Sequence, residues 1–128
     1  MKLLENEMQE IKRTEIIQWA KKYEIEELLE LFTCKSYENP LLHVTSLNLS
    51  KKGLEELPDF LFEFTGLKEL NLSHNHLQTL PTEIAQLSKL EFLDISWNHI
   101  VELPEFLFSM KKLKFNKAWN RKKGEAAR

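Results

Sequence analysis

Leu67 to Asn75 reads LKELNLSHN, and its pattern returns every 23 residues. On that interval Val44, Leu47 and Leu49 align with Leu67, Leu70 and Leu72, and again with Leu90, Leu93 and Ile95. Asn75 and Leu77 align with Asn98 and Ile100. Each copy runs on into a Leu-Pro pair: Leu57-Pro58, Leu80-Pro81 and Leu103-Pro104. An apolar pair follows at constant offset, Leu61 and Phe64, Ile84 and Leu87, Leu107 and Met110. A fixed return in this range marks a repeat architecture.

Leu70 and Leu72 are two residues apart, so both face one side of a short strand. A return of 23 residues is too long for a hairpin, so the next strand arrives parallel after a crossover. Stacked copies therefore predict a parallel sheet with the leucines inside. One copy cannot bury its apolar side alone, and neighbouring copies stabilise it. Asn75 and Asn98 stand where the strand turns away. An inward amide there hydrogen-bonds backbone groups that the bend leaves unpaired. Pro81 and its equivalents fix φ and suit an irregular or one-turn helical return.

With these motifs, residues 44–120 resemble a leucine-rich repeat protein of the 23-residue type carrying the LPxxIxxL tail. The resemblance implies an α/β fold, a short solenoid or horseshoe segment with its parallel sheet on the concave face. Three copies are clear. A degenerate fourth is expected from Leu113, with Asn116, Ala118 and Arg121 in place of Leu93, Ile95 and Asn98. A frame with Phe115 and Asn120 at the consensus spacing fits no better. The first copy departs at Lys52, where later copies carry Asn, and Gly53 offers the tight turn another way.

Residues 1–40 lack the repeat and read as helix. Leu4, Met8 and Ile11 form one apolar stripe. Thr14 is placed to cap a second helix, with Ile16, Trp19 or Ala20, and Tyr23 at helical spacing. Ile25, Leu28, Leu29 and Phe32 continue at a shifted phase, which predicts a bend near Glu24. A repeat stack leaves its first layer uncovered, so this segment is expected to be an N-terminal helical cap. The joint is SYENPLL, Ser36 to Leu42, with helix stopping by Asn39 ahead of Pro40. The expected organisation is a single domain over 1–128: cap at 1–40, repeats at 41–120 and a frayed basic tail at 121–128.

One cysteine, Cys34, forms no disulfide framework and favours a reducing compartment. The start, MKLLENEMQE, has no apolar run of signal-peptide length, and no stretch approaches a membrane span. The cytoplasm is the default, with export by a route that cleaves no signal as the other option. The Lys/Glu/Asn-rich composition leans bacterial. Net charge is −2 but unevenly spread. Residues 41–110 hold four Lys against ten Asp and Glu, whereas 111–128 hold eight Lys and Arg against one Glu. A basic end thus sits on an acidic body.

The resemblance places the binding surface on the concave sheet. Its outward positions form rows across the copies. One is Ser46, Glu69, Phe92, Phe115; the next is Asn48, Asn71, Asp94, Lys117. Then come Ser50, Ser73, Ser96, Trp119, and Lys51, His74, Trp97, Asn120. Aromatics collect toward the C-terminal end, and aromatics anchor protein interfaces out of proportion to their number. The expected partner-binding set is Glu69, Asn71, His74, Phe92, Asp94, Trp97, Phe115 and Trp119. The alternative for Phe115 and Trp119 is to fold inward as an improvised cap. Phe60, Phe62, Phe106 and Phe108 lie off the consensus positions, either filling gaps between layers or extending an apolar surface for self-association. The C-terminal end, with no recognisable cap, is a second route to a homodimer.

His74, His76 and His99 fall short of the four ligands a structural zinc site wants, so no metal or other cofactor is expected. Asn48-Leu49-Ser50 and Asn71-Leu72-Ser73 match a glycosylation acceptor, but they arise from the repeat itself. No glycine-rich phosphate loop, HExxH or GxSxG is present, so no catalytic role is expected. The expected function is a protein–protein interaction module. Behind it stand a self-associating structural role and weak nucleic-acid association through the basic end, which would be salt-sensitive and sequence-blind.

Overall fold

The computed structural model describes residues 13–33 and 44–120. The chain divides into two compact units, Met1–Pro40 and Leu41–Arg128. The Leu4/Met8/Ile11 stripe, Cys34, the Ser36–Leu42 joint and the basic tail at 121–128 lie outside the described residues.

In the first unit, helical backbone (α1) covers residues 13–22 and a second helix, α2, spans Glu26–Thr33. Glu24 between them has φ of 55°, and the Ile25 N–H donates back to the Ala20 carbonyl at 2.8 Å. The chain therefore turns where the apolar phase shifts. Ile16, Ala20, Ile25 and Leu28 are buried. Trp19 is half-buried and leans on Tyr23, with ring centroids 5.1 Å apart. Thr14 does not cap: it lies inside helical backbone that is already running at residue 13.

The second unit is built on a four-stranded parallel sheet in chain order. Its strands are β1 (Ser46–Asn48), β2 (Glu69–Asn71), β3 (Phe92–Asp94) and β4 (Lys114–Asn116). Leu47 pairs with Leu70, and Leu70 with Leu93, in one column whose members are all buried. Leu49, Leu72 and Ile95 are buried beside them. The return segments use proline as a hinge. Pro58 and Pro81 are extended, with φ of −72° and −68°, and each opens a 3-10 turn, Asp59–Glu63 and Thr82–Gln86. The Pro58, Pro81 and Pro104 carbonyls accept the N–H groups of Leu61, Ile84 and Leu107, all three buried. The third return is a short helix, α3 (Phe106–Ser109).

The off-consensus phenylalanines divide. Phe60 and Phe62 are buried, Phe106 is half-buried, and only Phe108 is exposed, at 66%. The continuous outer apolar surface considered for self-association is therefore not formed by these four side chains.

The fourth copy follows a different frame from the expected one. β4 pairs Phe92 with Lys114, Leu93 with Phe115 and Asp94 with Asn116. The last interval is thus one residue shorter than the others. Leu113 still holds the old interval, donating its N–H to Met110 as Leu90 does to Leu87. The shortening is taken up at the entry to β4. Phe115 therefore occupies the inward column under Leu93, half-buried, and meets Phe108 edge-on at 6.0 Å. It does not join Phe92 on the outward row.

What fixes the shorter frame is Asn120. Asn75 and Asn98 are buried, and each spans two copies. The Asn75 Oδ1 accepts the N–H groups of Lys52 and Leu54 in the preceding turn, both at 3.0 Å. Its Nδ2 donates to the carbonyls of Leu49, Leu72 and Ser73. Asn98 repeats this, accepting from Leu77 and donating to Leu72, Ile95 and Ser96. Asn120 continues it, accepting from Ile100 and donating to Ile95 and Lys117. Each amide serves the turn of the copy before it. Among the described strands none precedes β1, and position 52, the equivalent of Asn75 in the first copy, carries Lys.

Removing such an amide strands buried backbone groups, at roughly 1–3 kcal/mol each. Asn75→Ala is expected to cost about 2–4 kcal/mol in urea unfolding, since two turn donors lose their acceptor. Asn120→Ala, with a single turn donor in a half-buried site, is expected to cost about half as much. Equal and small losses in both would show that water serves these groups equally well.

Candidate functional site

The register of β4 redraws the outward rows. The first is Ser46, Glu69, Phe92, Lys114. Phe92 is 43% exposed between an acidic and a basic neighbour. The Ser46 hydroxyl reaches the Glu69 carboxylate at 3.5 Å.

The second row is Asn48, Asn71, Asp94, Asn116, and it is largely structural. The Asn71 Oδ1 accepts both the N–H and the hydroxyl of Ser73, at 3.0 and 2.7 Å. Asp94 does the same for Ser96, and Asn48 for Ser50. Asn116 accepts the Ala118 N–H. The Asn-x-Ser triplets are thus side-chain-closed turns at the strand ends. Asn71 and Asp94, expected to meet a partner, have one oxygen each committed to these turns.

The third row is Lys51, His74, Trp97, Trp119. All four have positive φ, 57°, 56°, 56° and 62°. This corrects the expected rows: Trp119 belongs with Trp97, and Asn120 with the buried Asn75 and Asn98. Trp119 is 62% exposed and Trp97 48%, so neither folds inward as a cap. The rings form a column. His74 stacks on Trp97 at 5.3 Å and 10°, and Trp97 on Trp119 at 5.1 Å and 19°. The repeat generates this directly, since parallel neighbours lie about 4.8 Å apart and the same backbone angles aim each ring alike.

The column is held against a conformational cost. A non-glycine residue in the left-handed region costs roughly 1–2 kcal/mol. Each stacked aromatic pair returns about 0.5–1.5 kcal/mol. The two are comparable, so stacking offsets the backbone cost without a large surplus.

His76 and His99 make a second stacked pair, 5.8 Å apart at 13°. Among the described residues no group of three or more His, Cys, Asp or Glu could hold a metal ion. Among them, too, no helix is long and apolar enough to cross a membrane.

Of the expected site residues, Glu69, His74, Phe92, Trp97 and Trp119 share the exposed side of the sheet; Phe115 leaves it. Sequence reasoning missed Lys114, which replaces Phe115 beside Phe92. The signal was present: Trp119-Asn120 repeats the Trp97-Asn98 dipeptide one residue early.

Residues 43–100 match the family model described as leucine rich repeat. No curated protein matches the chain.

Trp97→Gly and Trp97→Ala both delete the central ring, but glycine also relieves the left-handed backbone. The glycine variant is expected to be the more stable of the two by about 1 kcal/mol in urea unfolding. The reverse order would mean that residue 97 is not held at positive φ in solution.

Proposed function

Because this is a leucine-rich repeat chain, and such repeats generally mediate protein–protein interaction, we propose that it docks a protein partner on the outward face of its sheet. The repeats are typically non-enzymatic, and no catalytic role is proposed. Phe92, Trp97 and Trp119 are the anchors, with Glu69, His74 and Lys114 around them. We read the four strands as the concave wall of a short solenoid and residues 1–40 as its N-terminal helical cap. The single cysteine supports a cytoplasmic setting, and the Lys/Glu/Asn-rich composition supports a bacterial source.

The observation that carries the proposal is the stacked column His74–Trp97–Trp119, with Phe92 exposed at the start of β3. His74, Trp97 and Trp119 hold left-handed positions that Gly or Asn would fill with less strain. Their stability yield is modest, yet they leave a large, rigid aromatic surface open to solvent. Trp and Tyr dominate the binding energy of protein interfaces because they bury much area at low entropic cost.

A partner is to be captured from the source cell and its affinity measured against purified variants. Trp97→Ala and Phe92→Ala are each expected to weaken binding by about thirtyfold, the ~2 kcal/mol of an interface anchor. Far-ultraviolet circular dichroism should be unchanged. Undiminished binding by the double variant would refute the proposal.

A further inference from the structure

β4 is the last strand of the sheet, and among the described residues nothing pairs with its far side. Its free groups follow from its neighbours. Leu72 and His74 donate their N–H groups to the next strand, at Asp94 and Ser96. Ile95 and Trp97 donate to Asn116 and Ala118. The residues one copy further on are Lys117 and Trp119, so their N–H groups point along the open edge. By the alternation of a strand, the Phe115 N–H points the same way.

This edge is strongly cationic. Lys111, Lys112, Lys114 and Lys117 are all exposed, and residues 110–120 contain no acidic side chain. Lys114 and Lys117 are an odd number of residues apart, so they leave the strand toward opposite faces. The edge is flanked by positive charge above and below. Such lysines block edge-to-edge pairing of two copies, because the second copy brings the same charges. They do not block an acidic strand; they select for one. The stacked column points in the same direction. Its spacing matches that of the strands, so the outer face of Trp119 is presented to whatever occupies the next position.

We propose that the open edge of β4 receives an extended acidic segment of a partner protein as a fifth strand. Its backbone meets the Phe115, Lys117 and Trp119 N–H groups, and its carboxylates meet Lys114 and Lys117. Main-chain pairing supplies affinity in such strand addition, and the flanking side chains supply selectivity. The edge and the aromatic face share Trp119, and they are separable through His74, which lies two strands from β4.

The test uses the full chain and a synthetic peptide of repeating Thr-Thr-Glu-Glu, which carries carboxylates on both faces of an extended strand, followed by amide NMR and hydrogen exchange. The peptide is expected to bind, to slow exchange at Lys117 and Trp119, and to bind less tightly as salt is raised. Peptides methylated on alternate backbone nitrogens, one for each frame, provide the control. One frame should lose binding while the other keeps it. Lys114→Glu should weaken the parent peptide about tenfold with an unchanged unfolding midpoint. His74→Ala, two strands from β4 and not in contact with Trp119, should leave peptide affinity within about twofold, which separates this proposal from the face-binding one. Four outcomes overturn it. They are no binding at millimolar peptide, equal binding by both methylated frames, shifts centred on Phe92 and Trp97, or binding of oligothymidylate in place of the peptide.

Discussion

Asn75, Asn98 and Asn120 each sit one copy beyond the turn they satisfy, and the rest of the repeat unit is arranged around that offset. A short parallel strand must turn sharply to begin its return, and the turn leaves N–H groups that no strand can reach. Water is excluded from the inside of that bend. Only a neutral side chain with both an acceptor and donors, short enough to stay under the backbone, meets the need. Asn does so, and among the described residues no buried side-chain nitrogen or oxygen is left without a partner. Hydrophobic stacking of Leu47, Leu70 and Leu93 supplies most of the driving force, but leucines alone do not fix register along the strand. The amides do. They explain why the last interval is one residue short: Asn120 must reach the turn at Ile100.

The same bend produces the candidate site. The residue before each of these positions, at Lys51, His74, Trp97 and Trp119, is forced into the left-handed region. A backbone in that conformation aims its side chain along a fixed direction, and the repeat superimposes those directions strand after strand. A structural requirement inside the bend therefore lines up side chains outside it. Where those side chains are His, Trp and Trp, the result is a rigid aromatic column. Its members face solvent because their backbone conformation, rather than their hydrophobicity, sets where they point.

Much of this was legible in the sequence, and what was not has specific causes. The period placed Leu47, Leu70 and Leu93 in one column, and the Asn positions at the bends, because both depend on residue type at fixed spacing. The phase shift at Ile25 located the turn at Glu24. The end of the sheet was misread because the weakest copy carries the shortened interval. Leu113 still fits the longer spacing, and extrapolating from it displaced Phe115, Lys117 and Trp119 by one residue. A one-residue slip reverses the faces of a strand, so Phe115 moved from the outward row to the inward column. The Trp-Asn dipeptide would have located the slip, since the left-handed residue and the buried amide must travel together. The structural duty of Asn71 and Asp94 was hidden for another reason: their turns are closed by serines that read as ordinary polar surface.

Amide hydrogen exchange at Leu54, Leu77 and Ile100 tests the central role of the buried amides most directly. These three N–H groups lie outside every strand and helix, and asparagine side chains accept them. Slow exchange at all three is expected, with Asn120→Ala releasing Ile100 alone. Fast exchange at Leu54 and Leu77 in the unaltered chain, or an Ile100 indifferent to the loss of Asn120, would contradict it.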